Sequence, residues 1–595
     1  MPLDNMQVHY VETVKDCENF LRWLGERRPE STIAIDTETT GLQWWTPQFL
    51  RMVQFGDSEQ GWSIPFKWWA GVIKQAMAYI VKADMRVVMH NAKFDMHALE
   101  SAGLPLPDWR RVEDTLVLDH LLDSSKPHSL KPIAARLFGQ EALAGQAMLK
   151  QDMQKHGWTW ATIPENHQTY WAYAAMDTVL THRVWAQHEG PVKRLYLPAY
   201  EREMTVMAVL YGAENRGMRI DPVYTEGLWD EWYLEMKVVE EKLNAYGIKN
   251  PNANKQIEAA LRLADPEWHP DEWTASGEAK MDKDVLGKLD SEIGGLVLRY
   301  RRLRKWSKAY LGAFLDQRDS GDRLHPTIRT LGARTGRMSI TEPPLQTLPR
   351  GASIRNCVIP ADGHSLLSID YDTMEYRVFA AYAGAEIIQQ AIKDGIDLHI
   401  LTASLAYGIP GDQVTKSQRQ ISKNTAYGRI YGAGPAKIAV TASAPDTNGQ
   451  FTLVTEQEVA NFLEQFDAKV PEVSTFMRTV EDIAKNRLRE EGQAYINSSG
   501  GRRIPGDPDR LYALVNYLVQ GSCADVFKQK IVEIANAGLD HHIILPVHDE
   551  LIFEVPKDEF NDLAPELERI MKDETTFSVP LTVGASGPLE RWGDK

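Results

Sequence analysis

Short apolar runs that end on acidic or polar residues alternate along this chain with longer stretches in which apolar residues recur every three or four positions. The short runs predict strands, and the longer stretches predict amphipathic helices. Residues 366–369 form the clearest strand pattern, and a helical pattern follows them at once. Residues 541–555 predict two strands joined by a tight turn. In both units, the residues that follow a strand are therefore expected to lie at the edge of a sheet.

Acidic residues stand at that edge in both units. Asp370 ends the first strand, and His548, Asp549 and Glu550 occupy the turn of the second unit. Two carboxylates held at strand ends can bind a pair of divalent cations, which stabilise the attacking and leaving oxygens of an in-line phosphoryl displacement. We therefore predict a two-metal nucleotidyl-transfer site on Asp370 and Asp549. The plain alternative for Asp370 alone is a capping residue between strand and helix.

A second group of acids lies in the first 190 residues. Asp36 and Glu38 follow a β-rich run and point the same way, because strand side chains alternate between faces. Asp95 falls in the first turn of a predicted helix, and Tyr173 and Asp177 stand four residues apart on one face of another. Each residue alone has an ordinary structural explanation, such as a helix-start acid or a half-buried aromatic side chain.

Long helical patterns dominate the chain from about residue 191. Helices are predicted for residues 170–185, 191–217, 296–315, 417–434 and 516–534. The polar, breaker-rich residues 248–285 predict loops or short helices. A basic run at 299–308 suits either a solvated helix face or an arm that grips a nucleic-acid backbone through its phosphates.

The helix predicted for 417–434 carries a stripe of cationic and aromatic side chains. Arg419, Lys423, Tyr427 and Tyr431 recur every four residues and therefore share one face. Cations on this face can bind a triphosphate, and an aromatic ring can stack on a sugar or base. The stripe predicts a nucleotide platform, although a basic surface helix packed over aromatic rings has the same spacing.

Composition excludes several classes of protein. The chain has 595 residues, enough for about three or four domains. Its widely spaced Cys17, Cys357 and Cys523 provide neither a disulfide framework nor a zinc site, which indicates a cytoplasmic protein. We expect no signal peptide and no membrane segment. The net charge of −16 argues only weakly against a nucleic-acid partner, because binding depends on where the charges lie.

The acids of the first 190 residues resemble a known set of motifs. D-x-E, then N-x-x-x-D, then Y-x-x-x-D follow the order of the three motifs of DEDDy 3′–5′ exonucleases. That resemblance implies an RNase H-like fold in which carboxylates hold two metal ions. The carboxylates implied are those of Asp36, Glu38, Asp95 and Asp177. It also implies that Tyr173 orients the attacking water.

The rest of the chain resembles the family A DNA polymerases, the group typified by bacterial DNA polymerase I and related phage replicases. SIDYDTMEYR resembles the palm motif, R-x-x-x-K-x-x-x-Y-x-x-x-Y-G the fingers motif, and LPVHDELIFEV the third motif. TGRMS, PPLQTLP, DLH and QGSCAD fall in the family's order, and YRRLRKWSKAY resembles the thumb helix. The resemblance extends from about residue 30 to residue 592. We expect no 5′-nuclease domain, and a phage replicase is the setting we favour.

The resemblance implies ligands for each polymerase residue. Asp370, Asp549 and the backbone carbonyl of Tyr371 are expected to bind two Mg²⁺ ions, for which Mn²⁺ can substitute, with Glu550 beside them. The expected contacts of the incoming dNTP are Arg419, Lys423, Tyr427, His399, Glu375 and Tyr431. The expected contacts of the primer–template are Arg337, Gln346, Gln520 and His548.

Four of these residues have more specific implied roles. Lys423 is expected to donate a proton to pyrophosphate, and Tyr427 to stack on the incoming nucleotide. Glu375 is expected to act as the steric gate against a ribose 2′-hydroxyl. Tyr431 is expected to border the templating base.

The implied architecture is α+β, with an RNase H-like exonuclease domain followed by a right-hand polymerase that has an antiparallel palm sheet and a helical thumb and fingers. The expected boundaries are 1–190 for the exonuclease domain, 191–335 for the thumb and connecting helices, 336–395 and 526–595 for the palm, and 396–525 for the fingers. We expect a monomer that acts on primer–template DNA and dNTPs in the bacterial or phage-infected cytosol, with replication accessory proteins as further partners.

Three positions depart from the family's pattern. Thr373 stands where Gln is usual, Pro344 where Asn is common, and Tyr512 in place of an arginine. These are expected duplex contacts, so the departures bear on minor-groove checking and leave the reaction unaffected.

Three alternatives remain open. They are an exonuclease whose polymerase-like body only holds DNA, a single-subunit RNA polymerase, and a non-catalytic DNA-binding scaffold. The complete sets of acids argue against the first and third, and Glu375 at the sugar gate argues against the second.

Overall fold

The structure is a computed structural model and describes residues 6–289, 291–349, 351–443 and 454–595. Its N-terminal part is built on a mixed sheet whose strands are β1 (Gln7–Tyr10), β2 (Thr32–Thr39), β3 (Leu50–Gly56), β4 (Gln60–Pro65), β5 (Arg86–Met89) and β6 (Val112–Asp114). The spatial order is β1–β4–β3–β2–β5–β6, with β2 antiparallel to β3 and parallel to β5. The predicted strand that carries Asp36 is therefore β2, inside the sheet.

Helices pack against this sheet. They are α1 (Val14–Gly25), α2 (Phe66–Lys82), α3 (Ala92–Ser101), α4 (Thr115–Leu122), α5 (Leu130–Phe138), α6 (Ala144–His156) and α7 (Gln168–Arg216). The apolar run of β2 forms part of the core between sheet and helices, because Ile33, Ala34 and Ile35 are at most 1% exposed.

α7 consists of two helical segments, as predicted, but the break between them lies at Tyr196 and not near residue 190. It runs through the expected boundary at residue 190 and includes Pro191 and Pro198. Its backbone dihedrals leave the helical region at Tyr196, two residues before Pro198, where a proline ring crowds the preceding turn. The break therefore lies in the turn that Pro198 crowds, beyond the predicted boundary. The predicted end at Gly217 is confirmed, and this glycine adopts a φ of +60°.

Residues 218–359 hold short strands and the expected thumb helices. The helices are α8 (Pro222–Ala245), α9 (Asn254–Ala264), α10 (Lys283–Leu286), α11 (Glu292–Trp306), α12 (Ala313–Asp316) and α13 (Ala352–Arg355). The strands are β7 (Met218–Ile220), β8 (Arg323–Leu324), β9 (Thr327–Arg329), β10 (Ser339–Thr341) and β11 (Val358–Ile359). α9 and α10 confirm the short helices predicted for residues 248–285.

The remaining chain forms the palm sheet and a helical layer beside it. The strands are β12 (His364–Tyr371), β13 (Tyr495–Asn497), β14 (Arg503–Pro505), β15 (Ile543–Val547), β16 (Glu550–Pro556) and β17 (Val583–Leu589). The helices are α14 (Met374–Ala383), α15 (Glu386–Lys393), α16 (Leu398–Tyr407), α17 (Lys416–Ile430), α18 (Pro435–Ala442), α19 (Glu456–Lys469), α20 (Pro471–Glu491), α21 (Ala513–Asn536) and α22 (Phe560–Met571). The palm sheet runs β15–β16–β12–β17 and is antiparallel throughout, as predicted.

One hydrophobic core unites the palm, the base of the thumb and the fingers. Its fully buried members include Leu303 of α11, Leu366 of β12, Ile388 of α15 and Ile543 of β15. The palm sheet is thus fixed on both sides by helices from distant parts of the sequence. Within the described ranges, no helix combines the length and the apolar character needed to cross a membrane.

A buried ion pair joins α7 to α21 inside this assembly. The ammonium of Lys528 donates to Glu203 Oε2 at 2.6 Å, and neither side chain is more than 1% exposed. Burial lowers the pKa of Lys528 to about 8, against the opposing effect of Glu203. Each charge is therefore acceptable in the interior only while its partner is present.

We expect Glu203→Leu to lower the free energy of unfolding by about 3–5 kcal/mol, because it leaves a buried ammonium unpaired. The double variant Glu203→Leu/Lys528→Met should be clearly more stable than either single variant. Urea denaturation measures both. Glu568→Gln, which breaks the half-exposed Lys572–Glu568 pair, is the matched surface control and should change little. Additive losses in the double variant would contradict the coupling.

Candidate active sites

The palm acids are brought together by strand pairing. Asp370 on β12 lies directly opposite Glu550 on β16. The Tyr371 amide donates to the Asp549 carbonyl oxygen at 3.3 Å, which ties the end of β12 to the turn between β15 and β16. That turn places His548 at a φ of +57°, in the left-handed region that tight turns use. The hairpin predicted for residues 541–555 is thereby confirmed, with its acids beside Asp370.

The electrostatics of this edge favour a bound cation. Burial and the neighbouring Asp370 carboxylate raise the pKa of Asp549 to about 7. Glu550 is 5% exposed and accepts a hydrogen bond from Ser368 Oγ at 2.6 Å. Like charges held this close are stabilised when a positive charge lies between them.

A lysine ammonium occupies that position. Lys595 Nζ lies 3.0 Å from Asp370 Oδ2 and 3.1 Å from Glu550 Oε1. No three Asp, Glu, His or Cys side chains of the described chain converge into a ready-made metal cluster. The oxygen donors nevertheless match what Mg²⁺ prefers, and the ammonium shows that they accept a cation.

Tyr371 is anchored so that its main chain stays at the strand end. Its ring is buried, and its hydroxyl donates to the Met571 carbonyl. The side chain therefore fixes the backbone whose carbonyl was predicted to ligate a metal ion.

Glu375 is the centre of a hydrogen-bonded bridge. Its carboxylate pairs with the Arg337 guanidinium on one oxygen and accepts from the Tyr431 hydroxyl at 2.8 Å on the other. Gln520 lies close to Tyr431, whose pKa is raised to about 12 by burial and by Glu375. The predicted sugar gate, the end of the fingers helix and two predicted DNA contacts are thus one unit.

The remaining predicted DNA contacts border the same cleft. His548 Nε2 lies 3.0 Å from the Gln346 carbonyl oxygen, and the Gln346 side-chain amide donates to the Met338 carbonyl at 2.9 Å. Arg337, Glu375, His548 and Asp549 line one cleft.

The fingers helix confirms the predicted stripe but shows an unexpected partner for it. On α17 the Arg419 guanidinium donates to Asp397 Oδ2 at 2.6 Å. Asp397 also caps α16 by accepting from the His399 amide at 2.8 Å. Local sequence spacing did not predict this pair, because the two residues lie on different helices.

The His399 imidazole is buried, and one of its ring nitrogens has no partner among the described residues. It is 4% exposed, and burial lowers its pKa to about 4, with Lys423 and Arg419 adding to the effect and Asp397 opposing it. Its Nδ1 has no hydrogen-bond partner among the residues that the structure describes. A buried polar atom without a partner is costly, so a ligand that supplies one is favoured.

Tyr427 connects the two halves of the cleft. Its ring lies 6.0 Å from the His399 ring. Its pKa is raised by burial and further by Glu375 and Asp549, which places the phenol near both acids. The stripe on α17 therefore faces the palm edge, as a nucleotide platform requires.

The N-terminal acids also converge. Asp36 and Glu38 lie on β2, and between them Thr37 Oγ1 donates to Asp95 Oδ1 on α3 at 2.7 Å. Tyr173 lies near Asp177 on α7, since that carboxylate contributes to the rise in the pKa of the tyrosine. The predicted residues of this site lie near one another, since Asp36, Glu38, Asp95, Asp177 and Tyr173 affect one another's pKa values, but in the described chain no three of the acids converge into a ready-made metal cluster.

Burial of several carboxylates together shifts their protonation. The pKa of Glu38 rises to about 8 through burial and Asp177, and that of Asp95 rises to about 8 chiefly through burial. Asp36 and Asp177 are raised mainly by burial as well. Such a cluster is at its most stable when cations share it.

One residue of this cluster was missed by sequence reasoning. Lys131, on α5, is 5% exposed and hydrogen-bonds to Asp177. A signal existed, since Lys131 is a cation in the first turn of a helix, between apolar residues that face the core. The helix dipole disfavours a cation there.

Comparison with known proteins identifies the chain. The model of DNA polymerase family A matches residues 224–594. This chain belongs to that family. A 3′–5′ exonuclease family matches residues 10–188, so the protein is a family A DNA polymerase with a 3′–5′ exonuclease domain. Family membership favours a DNA polymerase over the RNA-polymerase and scaffold alternatives.

Curated relatives of this family A polymerase span its whole length. The DNA polymerase of Mycobacterium phage D29 is 31% identical over 617 residues, which cover 99% of this chain and 97% of the phage protein. DNA polymerase I of Pseudomonas aeruginosa is 25% identical and covers 98% of this chain and 66% of the bacterial protein. The POL domain of Pol1 from M. smegmatis, solved with primer–template DNA and dNTP, shares the fold at a TM-score of 0.75, 23% identity and 99% coverage of both chains.

Two of the positions that depart from the family's pattern have structural consequences. Thr373 precedes α14 with a φ of +48°, a left-handed conformation that is uncommon for a β-branched residue. Tyr512 packs against Gly432, which follows the fingers helix. The Tyr512 ring is so close that a Cβ added at Gly432 would lie 2.7 Å from it. Nothing in the structure explains Pro344 in place of Asn.

The bridge on Glu375 generates a prediction about sugar selectivity. Tyr431→Phe removes one of the two groups that hold the Glu375 carboxylate, so the gate becomes more mobile. We expect the preference for dATP over ATP, measured as a ratio of kcat/KM values, to fall by about tenfold, the equivalent of about 1.4 kcal/mol. The exonuclease rate of the same preparation serves as the control. Unchanged selectivity would show that Arg337 alone fixes the gate.

Proposed function

We propose that this polymerase extends a primer at Asp370 and Asp549 and removes mispaired ends at the separate site of Asp36, Glu38, Asp95 and Asp177. The observation that supports the first site best is the pairing of β12 with β16, which sets Asp370 opposite Glu550 and beside Asp549. The product of the first reaction is DNA lengthened by one nucleotide, and pyrophosphate leaves.

Two Mg²⁺ ions per site, or Mn²⁺ in their place, are the cofactors that these donors fit. Asp370, Asp549 and the Tyr371 carbonyl would hold them at the palm, and Asp36, Glu38, Asp95 and Asp177 at the exonuclease site. When bound, the ions lower the pKa of the attacking oxygen and neutralise the charge that develops on the leaving group.

The fingers residues bind and orient the triphosphate. Arg419, Lys423 and His399 form a cationic and hydrogen-bonding patch, supported by the contact of Arg419 with Asp397 and by the unpartnered Nδ1 of His399. Lys423 donates a proton to the leaving pyrophosphate. Tyr427 stacks on the incoming nucleotide, because its ring stands between His399 and the palm acids.

The residues around Glu375 check the primer–template. Glu375 excludes a 2′-hydroxyl, and Tyr431 borders the templating base. Arg337, Gln346, Gln520 and His548 contact the DNA near the primer terminus. Arg337 and His548 line one cleft with Asp549, and His548 contacts the Gln346 carbonyl, which supports these roles.

At the exonuclease site the chain positions the attacking water. The Tyr173 hydroxyl, which lies near Asp177, orients that water toward the phosphate. The water attacks the terminal phosphodiester, and a nucleoside monophosphate leaves from the primer end.

Domain limits and partners complete the proposal. We propose the domain boundaries predicted from the sequence. The family matches to residues 10–188 and 224–594 support an exonuclease domain followed by a polymerase, and α7 runs from the first match into the stretch between them. The exposed Arg302, Arg304 and Lys305 on α11 suit a thumb that grips duplex phosphates. We propose a monomer that works in the bacterial or phage-infected cytosol, where its separate cysteines stay reduced, and that accepts accessory replication proteins.

The two sites are expected to fail independently. Asp370→Ala should reduce primer extension by about 1,000-fold or more and leave degradation of the primer intact, because it removes a ligand from the palm only. Asp36→Ala should do the reverse. A labelled primer–template incubated with Mg²⁺, with and without dNTPs, measures both activities. Shortening of the primer under both conditions by the unmodified enzyme would favour an exonuclease with a DNA-holding body.

The hydroxyl of Tyr427 is expected to determine sensitivity to dideoxynucleotides. It can occupy the space that a missing 3′-hydroxyl leaves, so the enzyme should discriminate weakly against ddNTPs. Tyr427→Phe should raise the ratio of kcat/KM for dNTP over ddNTP by about 100-fold or more, since it removes the hydroxyl that takes the place of the missing 3′-hydroxyl. Equal inhibition of both proteins by a ddNTP would contradict this role.

A further inference from the structure

A cation lies inside the exonuclease cluster, and none of the exonuclease motifs accounts for it. The Lys131 ammonium hydrogen-bonds to Asp177 Oδ1 and stands 4.4 Å from the centre of the Tyr173 ring. Asp36 and Glu38 are also close enough for Lys131 to lower their pKa values against the larger effect of burial. Lys131 thus touches both the residue that orients water and the carboxylate beside it.

The local structure would not place a lysine here without a compensating partner. Lys131 lies in the first turn of α5, where the positive end of the helix dipole repels a cation. Its neighbours Leu130, Ile133 and Ala134 are buried, and an ammonium without a partner in that environment is strongly disfavoured. The carboxylates of the site supply the compensation, so Lys131 and the acids stabilise one another.

The helix that carries Lys131 is locked to the helix that carries Tyr173 and Asp177. Asp119 of α4 accepts hydrogen bonds from His128 Nδ1 at 2.7 Å, from Arg136 at 2.7 Å and from His188 Nε2 at 3.1 Å. His128 and Arg136 flank Lys131 in sequence, and His188 belongs to α7. Burial alone would raise the pKa of Asp119, but these donors hold it below its usual range, so the carboxylate stays charged. Lys131 therefore has a fixed place relative to Tyr173.

We propose that Lys131 is a positioning residue of the exonuclease reaction. Its ammonium holds the Tyr173 ring by a cation–π contact and the Asp177 carboxylate by a hydrogen bond, so the phenol points at the attacking water. It also provides positive charge that keeps the acids together before Mg²⁺ binds. This inference rests on the proposed function of Asp36, Glu38, Asp95 and Asp177 as the exonuclease site.

Lys131→Met tests the role, because it keeps an unbranched apolar stem and removes the charge. Single-turnover degradation of single-stranded DNA by the full chain should slow by about tenfold or more, with the KM for DNA unchanged, as expected when a positioning contact is lost. Lys131→Arg, which keeps a cation able to stack on Tyr173, should recover part of the rate. Primer extension by the same preparations should not change and reports that the protein is folded.

A second readout does not depend on activity. In EDTA, Lys131→Met should melt at a lower temperature than the unmodified protein, and added Mg²⁺ should raise its melting temperature by more, because the acids then lack their internal cation. Lys131→Gln is the second neutral variant if Lys131→Met fails to extend primers.

Two results would overturn the inference. One is a full rate of degradation by Lys131→Met. The other is a full rate of degradation by Lys131→Met at a lower Mg²⁺ concentration than the unmodified protein needs. That result would show that Lys131 merely occupies a metal position. Asp36→Ala separates these from a failure of the proposed function. If Asp36→Ala still degraded DNA, the exonuclease site itself would be misassigned. If Asp36→Ala lost degradation while Lys131→Met kept its full rate, only the role of Lys131 would be rejected.

Discussion

Carboxylates buried side by side are the feature on which both sites of this polymerase depend. In water, like charges a few ångströms apart repel weakly, but in the interior the repulsion is several times larger. Burial chiefly raises the pKa values of Asp549, Glu38 and Asp95, and neighbouring carboxylates raise them further. Such clusters persist because strands and helices on either side fix them, and because cations reduce the repulsion. Lysine ammonium groups have that role in this structure, and divalent ions fit the same donors.

The rigidity that holds the acids comes from elements shared between the sites. α7 carries Tyr173 and Asp177 near its start, and Glu214 near its end accepts hydrogen bonds from His97 on α3 and from the Ile328 amide, at 2.8 and 2.6 Å. α3 in turn carries Asp95. Midway, Glu203 pairs with Lys528 on α21, which packs behind the palm. α7 thus connects the exonuclease site to elements behind the palm, and its Asp177, Glu203 and Glu214 pair with Lys131, Lys528 and Lys93.

The polymerase cleft combines a rigid wall with a more exposed one. The palm acids lie on paired strands, whereas the fingers stripe lies on α17 and is partly exposed. Glu375 connects the two walls through Arg337 and Tyr431. Arg419 is held by Asp397, so this guanidinium already has a carboxylate partner. Under the proposed function, an incoming nucleotide would replace that contact with contacts to its phosphates.

Local periodicity was enough to determine much of this protein from its sequence. Alternation along β2 put Asp36 and Glu38 on one face, and four-residue spacing aligned the α17 stripe. An apolar run ending on Asp370 predicted a strand end. Each of these features depends only on backbone geometry within a few residues. The position of the break in α7, the Arg419–Asp397 pair and the place of Lys131 were decided only by tertiary structure. Lys131 and Asp177 are 46 residues apart in sequence, and Arg337 and Glu375 are 38 apart. No local rule relates residues so distant, because their contact exists only after the core has packed and enclosed their charges.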